Sequence, residues 1–139
     1  MSKVNPIYHH NRQILFLDFS GCSLNEFFKT MEEAKKLIRE QPLNSVLTLT
    51  DVTAARYNSE GIQALKEFTK GNKPFVRAGA VVGLDVLKRI IYNSVMYFSE
   101  RNITAFDDIE KAKDWLVEQW KASSNTANLS YSKKDDIIP

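Results

Sequence analysis

The apolar positions of this chain recur with two spacings, and the difference separates predicted strands from predicted helices. Near-continuous apolar or β-branched runs are typical of strands buried in a sheet, and they cover residues 14–19, 46–50, 75–83 and 103–106. A weaker run over 4–8 contains Pro6, which restricts that strand to a sheet edge or a strand start. Because only the polar turn 9–12 separates the first two runs, we predict an antiparallel hairpin.

Four other segments repeat apolar residues at i, i+3, i+4 and i+7, as helices with one buried face do. Ser23 and Glu26 have the spacing of a capping box at the start of the first helix. Asn58 and Ser59 can cap the second helix. Pro42 is predicted to end the first helix, and the second is predicted over about 59–70, ended by Gly71 and Pro74. The third helix is predicted over about 84–99. The fourth is predicted to run from a capping box of Asp107 and Glu110 to Trp120.

The predicted order is a hairpin followed by alternating helices and strands, with a helix last. Right-handed crossovers then give an α/β fold with one mixed, mainly parallel sheet of about five strands, four helices, and the first strand antiparallel at an edge. The segment 46–50 is expected in the middle of this sheet. We assign residues 1–121 to one domain and the polar residues 122–139 to a loose tail.

Composition narrows the class of protein. The 139 residues suffice for one domain, and the net charge of +2 is too small to indicate a nucleic-acid-binding face. A single cysteine, Cys22, excludes an internal disulfide. No apolar run approaches the ~20 residues of a membrane span, and the N-terminus lacks the apolar core of a signal peptide. We therefore expect a cytoplasmic protein without an integral membrane segment.

Few residues have the spacing that catalysis or metal binding requires. His9 and His10 are adjacent in the predicted turn, with no third ligand near them in sequence, so we expect no metal site. Asp18 and Asp51 end neighbouring strands, where paired carboxylates could hold Mg²⁺ or act together in an enzyme, but capping their own loops is the more common role. The sequence predicts no cofactor and a protein that is not an enzyme.

Two segments resemble a known family. Leu49-Thr50-Asp51-Val52-Thr53 with Asn58-Ser59-Glu60-Gly61-Ile62 resembles the STAS domain, the fold of bacterial anti-sigma-factor antagonists. The layout of residues 3–120, including Ala80-Val81-Val82-Gly83 and the closing segment 106–116, looks like the SpoIIAA-like branch, which also resembles SEC14 lipid-transfer domains.

The resemblance implies a non-catalytic protein-interaction module that signals through a protein partner, either a regulatory kinase or an anti-sigma-like protein. In that family a loop serine is phosphorylated, and Ser59 occupies the corresponding place at the predicted helix start, where backbone N–H groups and the helix dipole favour a phosphate. Asn58 and Glu60 depart from the family's usual residues. The expected partner-binding residues are Asp51, Arg56, Tyr57, Asn58, Glu60 and Gly61.

The likeness to SEC14 domains implies a second function, the binding of a small apolar molecule or lipid between the helices and the sheet. The residues expected to line such a pocket are on the third predicted helix, at Leu87, Ile91 and Val95. The expected function is the protein-interaction module, with binding of an apolar ligand as the alternative, and the sequence leaves a homodimer open.

Overall fold

Five strands form one sheet in their sequence order, and the computed structural model describes residues 3–122 of the chain. The strands are β1 (Lys3–His9), β2 (Arg12–Asp18), β3 (Val46–Asp51), β4 (Val76–Val82) and β5 (Thr104–Phe106). The helices are α1 (Leu24–Arg39), α2 (Ser59–Asn72), α3 (Val86–Ser99) and α4 (109–122). The predicted α/β fold is thereby confirmed, whereas residues 123–139 of the predicted tail lie outside the described part of the chain.

The topology of the sheet is the predicted one. β1 pairs with β2 in antiparallel orientation, and β2 to β5 are parallel to one another. β1 is an edge strand, which suits Pro6 because proline cannot donate a hydrogen bond to a second neighbour. His10 and Asn11 turn the hairpin with φ angles of 48° and 65°, as a tight two-residue turn requires. β3 lies at the centre, with two strands on each side.

Side chains of β3 alternate between the two faces of the sheet, and the faces differ in character. Leu47 and Leu49 pack with Ala112 and Leu116 of α4, in a core that is fully apolar. Thr48 and Thr50 point to the opposite face, which α1, α2 and α3 cover. The central strand therefore presents hydroxyl groups to the three-helix side of the molecule.

The capping box predicted for α1 is present. The Ser23 hydroxyl accepts a hydrogen bond from the Glu26 backbone N–H at 3.2 Å, and the Glu26 carboxylate accepts one from the Ser23 N–H at 3.0 Å. Each side chain thus satisfies a backbone donor that the helix leaves unpaired. The buried face of α1 carries Phe27, Thr30, Met31, Ala34 and Ile38.

Three predicted helix boundaries are wrong. Gly71 does not end α2 in a left-handed conformation: it is helical, and a side chain there would collide with the guanidinium of Arg39. α3 begins at Val86, after the cap Asp85, rather than at residue 84. Asp108, rather than Asp107, accepts the hydrogen bond from the Glu110 N–H at the start of α4, at 3.3 Å.

Candidate functional site

A cavity of about 110 Å³ lies between the three-helix side and the sheet. Its floor is formed by β2, β3 and β4, and its walls come from α1, α2, α3 and the loop between β3 and α2. Most of the surrounding side chains are apolar; those from the helices include Phe27, Ile38, Leu65, Phe68, Ile91 and Val95. An engineered apolar cavity of roughly 150 Å³ is large enough to bind benzene. The space here therefore matches a small apolar group.

The structure places two of the three predicted pocket residues on this cavity. Ile91 and Val95 line it together with Lys88 and Tyr92, at the i, i+3, i+4, i+7 spacing of a single helix face. Leu87 does not line the cavity, which corrects the prediction, because it is a quarter-turn away from that face and 66% exposed.

Leu87 belongs instead to an outer apolar patch on α3. Its neighbours there are Val86, which is 80% exposed, and Ile90, which is 64% exposed. The N-terminal half of α3 thus presents apolar side chains on both its inner and outer sides, while only Val95 and Ser99 of the helix are buried.

Two polar side chains on the α3 wall have partners in the protein. The Lys88 ammonium lies 3.2 Å from a carboxylate oxygen of Asp85, the helix cap, whose other oxygen accepts the Lys88 backbone N–H at 2.8 Å. These hydrogen bonds hold the pKa of the Asp85 carboxyl below its ordinary value. The Tyr92 hydroxyl donates to the backbone carbonyl of Ile103.

Arg101 follows α3 in the chain and is another polar group of the cavity lining, but it is held differently. Its Nη1 donates to the Thr69 carbonyl oxygen at 3.3 Å, near the C-terminal end of α2. Among residues 3–122 it has no carboxylate partner. Burial lowers the pKa of the Arg101 guanidinium to about 10, so it stays positively charged at neutral pH.

The room for Arg101 comes from a glycine on the sheet. A Cβ atom at Gly79 would lie 3.2 Å from Nη2 of Arg101 and 3.0 Å from the Thr48 hydroxyl oxygen. Both groups already crowd that position, so a side chain at residue 79 would press against the guanidinium and the hydroxyl. Sequence reasoning missed Arg101, because it stands in the polar run Glu100-Arg101-Asn102, where an exposed side chain is the ordinary expectation.

The loop from Asp51 to Gly61 carries the predicted partner-binding residues. The Asp51 carboxylate accepts hydrogen bonds from the Thr53 N–H at 2.9 Å and the Thr53 hydroxyl at 2.7 Å. The Asn58 side chain caps α2 by accepting the Gly61 N–H at 2.8 Å. The side chains of Asp51 and Asn58 therefore stabilise the conformation of the loop through hydrogen bonds within it.

The loop residues that reach solvent are a subset of those predicted. Arg56, Asn58, Ser59 and Glu60 are exposed around the N-terminus of α2. Tyr57 is half-buried and lines the cavity, and Gly61 is buried with Phe27 where its side chain would be. Gly61 is therefore not on the exposed surface of the loop, and its assignment as a partner-binding residue stays a prediction.

The carboxylates at the neighbouring strand ends each serve their own loop. Asp18 and Asp51 are direct partners in the register of β2 and β3, so the sequence placed them side by side correctly. Asp18 accepts hydrogen bonds from the Ser20 N–H at 3.0 Å and the Ser20 hydroxyl at 2.5 Å. Cys22 is fully buried, and burial raises the pKa of its thiol, which disfavours the reactive thiolate.

The two histidines lie at the opposite end of the strands from Asp18 and Asp51, because His9 pairs with Arg12 at the start of β2. That start is roughly 20 Å from Asp18 at the rise of a strand. His9 Nε2 lies 2.6 Å from a carboxylate oxygen of Asp114 on α4, and His10 Nε2 lies 3.6 Å from the same atom. The hydrogen bond from His9 is the main cause that lowers the pKa of Asp114.

His9, His10 and Asp114 form the group within residues 3–122 whose ligand atoms could hold a metal ion, since all lie within 4.8 Å of one another. The sequence did not indicate this group, because Asp114 is 105 residues from His9. The direct contact between His9 and Asp114 has the length of a hydrogen bond.

The fold and the site define an α/β protein with an apolar cavity on its three-helix side, lined in part by a guanidinium. No protein-family model matches the chain, and no curated protein matches it significantly. In the part of the chain that the structure describes, no helix combines the length and the apolar character needed to cross a membrane.

Proposed function

We propose that this protein binds a small, mainly apolar molecule in the cavity between α1, α2, α3 and the sheet, and does not transform it. The observation that carries the proposal is the cavity itself, whose lining is apolar on nearly every side. Protein interiors are normally packed to the density of organic crystals, so the unfilled space forgoes contacts that a ligand could supply. Ligand sites in proteins are typically such apolar hollows with a few polar groups.

A binding role rather than a catalytic one is supported by the state of the reactive groups. Asp18 and Asp51 accept hydrogen bonds from Ser20 and Thr53 in their own loops. Burial raises the pKa of Cys22, and the histidines are at the opposite end of the strands. The ionisable side chains of the lining are those of Tyr57, Lys88, Tyr92 and Arg101, which are suited to holding a ligand by hydrogen bonds or charge.

A titration of the protein with octan-1-ol and its shorter homologues tests the proposal. Each methylene that enters an apolar site contributes about 0.8 kcal/mol, so the affinity should rise about fourfold per methylene along the series and level off once the chain is longer than the cavity. Ile91→Trp should fill the cavity and reduce octan-1-ol affinity by at least about tenfold, as measured by calorimetry.

The matched control is Ile90→Trp, the same substitution at a neighbouring position that is 64% exposed. It should leave the affinity for octan-1-ol unchanged. If both variants bind octan-1-ol as the unmodified protein does, or if neither the alcohols nor the corresponding carboxylates bind, the cavity is not a ligand site. A molecule of apolar character retained by protein from its native cells, found by native mass spectrometry, would identify the natural ligand.

A second candidate function is favoured by the position of Ser59. We propose that the exposed N-terminus of α2 is a regulatory contact for a protein partner, controlled by phosphorylation of this serine. Support comes from its exposure as the first residue of α2, while Asn58 rather than Ser59 provides the cap. The hydroxyl is therefore not needed by the helix, and a phosphate there would lie at the positive end of the dipole.

Incubation of the protein with labelled ATP and an extract of its native cells tests this second function. Phosphate should enter Ser59, so that Ser59→Ala abolishes the label. Ser94→Ala, which removes an exposed serine on α3, should retain it. Equal labelling of the two variants, or none in the unmodified protein, would remove the case for a phosphorylation switch.

The two candidate functions share a structural element. Val52, Ala55 and Tyr57 of the loop that leads to Asn58 form part of the cavity wall. A molecule in the cavity would therefore contact the same loop whose far end carries Ser59.

A further inference from the structure

The cavity has one feature that an apolar ligand would not use. Arg101 contributes a guanidinium to the wall, with five N–H donors and no ability to accept a hydrogen bond. Its only side-chain hydrogen bond among residues 3–122 is the one from Nη1 to the Thr69 carbonyl oxygen, at 3.3 Å. The Arg101 side chain is only partly exposed, and withdrawing a guanidinium from water is costly unless an opposite charge and further hydrogen bonds accompany it.

Lys88, the other cationic side chain of the cavity lining, has a carboxylate partner. Lys88 has Asp85 as its partner at 3.2 Å, and this pair satisfies its charge within the protein. Arg101 is charged at neutral pH and has no such partner in the described residues. The cavity therefore carries one positive charge that its own walls do not balance.

Arg101 and the Thr48 hydroxyl both line the cavity, and both lie close to the same glycine of β4. Gly79 has no side chain, and its missing Cβ position is 3.2 Å from Nη2 of Arg101 and 3.0 Å from the Thr48 hydroxyl oxygen. Thr48 also lines the cavity, as do Ile103 and Met96. A carboxylate accepts two parallel N–H bonds from a guanidinium and can take a third bond from a hydroxyl.

We infer that the ligand of this cavity is a monocarboxylic acid with an apolar body, bound with its carboxylate on Arg101 and Thr48 and its body against α2 and α3. This inference rests on the proposed function, because it names the chemical class of the molecule bound in the same cavity. Leu65, Phe68, Ile91 and Val95 supply the apolar surface for the body of the ligand. A single carboxylate matches the single unbalanced charge.

The experiment compares octanoate, octan-1-ol and octylamine, which share a chain and differ in the polar end. Calorimetry should show octanoate binding about tenfold to a hundredfold more tightly than octan-1-ol, the difference expected for hydrogen bonds to a charged group. Octylamine should bind most weakly of the three. In Arg101→Met, the affinity for octanoate should fall to that for octan-1-ol, while octan-1-ol binding stays within about twofold.

A matched control and a second readout separate ligand contact from a structural role of Arg101 at the end of α2. Arg89→Met, which changes an exposed arginine of α3, should keep the preference for octanoate. The ¹³C signal of the carboxyl group should show that bound octanoate has a pKa below its free value in the unmodified protein. In Arg101→Lys this pKa should stay low, and in Arg101→Met it should rise above the free value.

Each result bears on the inference. Octan-1-ol that binds as tightly as octanoate overturns the carboxylate and leaves the proposed cavity function intact. Failure of both compounds to bind overturns the two together. An octanoate preference that survives in Arg101→Met also overturns the inference, since another group would then hold the charge. The comparison of the three compounds with the unmodified protein needs no variant, so it decides the matter even if Arg101→Met does not fold.

Discussion

At the scale of single residues, neighbours in sequence have separate tasks in this protein. Asn58 accepts the Gly61 N–H and so starts α2, whereas Ser59 follows it in the first turn with an exposed side chain. Arg101 contrasts with both, because burial lowers its pKa to about 10. The unfolded chain therefore holds that proton more tightly than the native protein, so the partly buried charge opposes folding by its full amount below about pH 10 and by less above it.

The difference between Asn58 and Ser59 can be measured. Asn58→Ala removes the acceptor for a backbone N–H of α2 and should lower the free energy of unfolding by about 1 kcal/mol. For a domain of this size that corresponds to a fall in Tm of about 3 °C, observable by calorimetry or circular dichroism.

Ser59→Ala is the matched control, because its hydroxyl is not the cap of the helix. It should change the free energy of unfolding by less than about 0.5 kcal/mol. Equal losses in the two variants would mean that Ser59 shares the capping role, and the hydroxyl would then be less available for modification.

At the scale of elements, local sequence patterns correctly predicted the strands, the helices and a helix cap, which depend mainly on interactions between residues close in sequence. Periodicity identified the strands and helices of residues 3–122, and the spacing of Ser23 and Glu26 identified the capping box. The alternation of strands and helices was sufficient to predict the order of strands in the sheet, because right-handed crossover connections allow only a few topologies. The prediction for Gly71 was wrong because Arg39, from another helix, packs where its side chain would be. That contact is set by tertiary packing and has no local signal.

The site was predicted less completely than the fold, for the same reason. Ile91 and Val95 share a helical face and line the cavity as expected. Leu87 was wrongly expected on the same wall, because the spacing of apolar residues does not determine how the helix is rotated about its axis relative to the sheet. The α3 helix is apolar on two sides, so its period alone does not select the inner one. Arg101 depends on the chain reversing after Glu100, which has a φ angle of 58°, and on a glycine of β4.

At the scale of the whole molecule, the two faces of the sheet have different roles. The face under α4 is closed by a fully apolar core around Leu47, Leu49 and Leu116. The opposite face carries threonines on the central strand and a cavity beneath three helices. One side of β3 thus packs into a core, while the other side lines the cavity in which we propose that a ligand binds. The exposed apolar patch of Val86, Leu87 and Ile90 lies on the same helix as the cavity wall. An affinity alone therefore does not show whether a ligand binds in the cavity or on this patch, and its position has to be measured as well.

A methyl NMR titration of the protein with octan-1-ol locates the ligand most directly, because the inner and outer sides of α3 carry different methyl groups. We predict saturable shifts of the methyl signals of Leu65, Ile91 and Val95, with the signals of Leu43 and Ile90 unchanged. Shifts confined to Val86, Leu87 and Ile90, or shifts that grow linearly without saturating, would show that octan-1-ol meets only the surface of α3. The cavity would then have no part in the function of this protein.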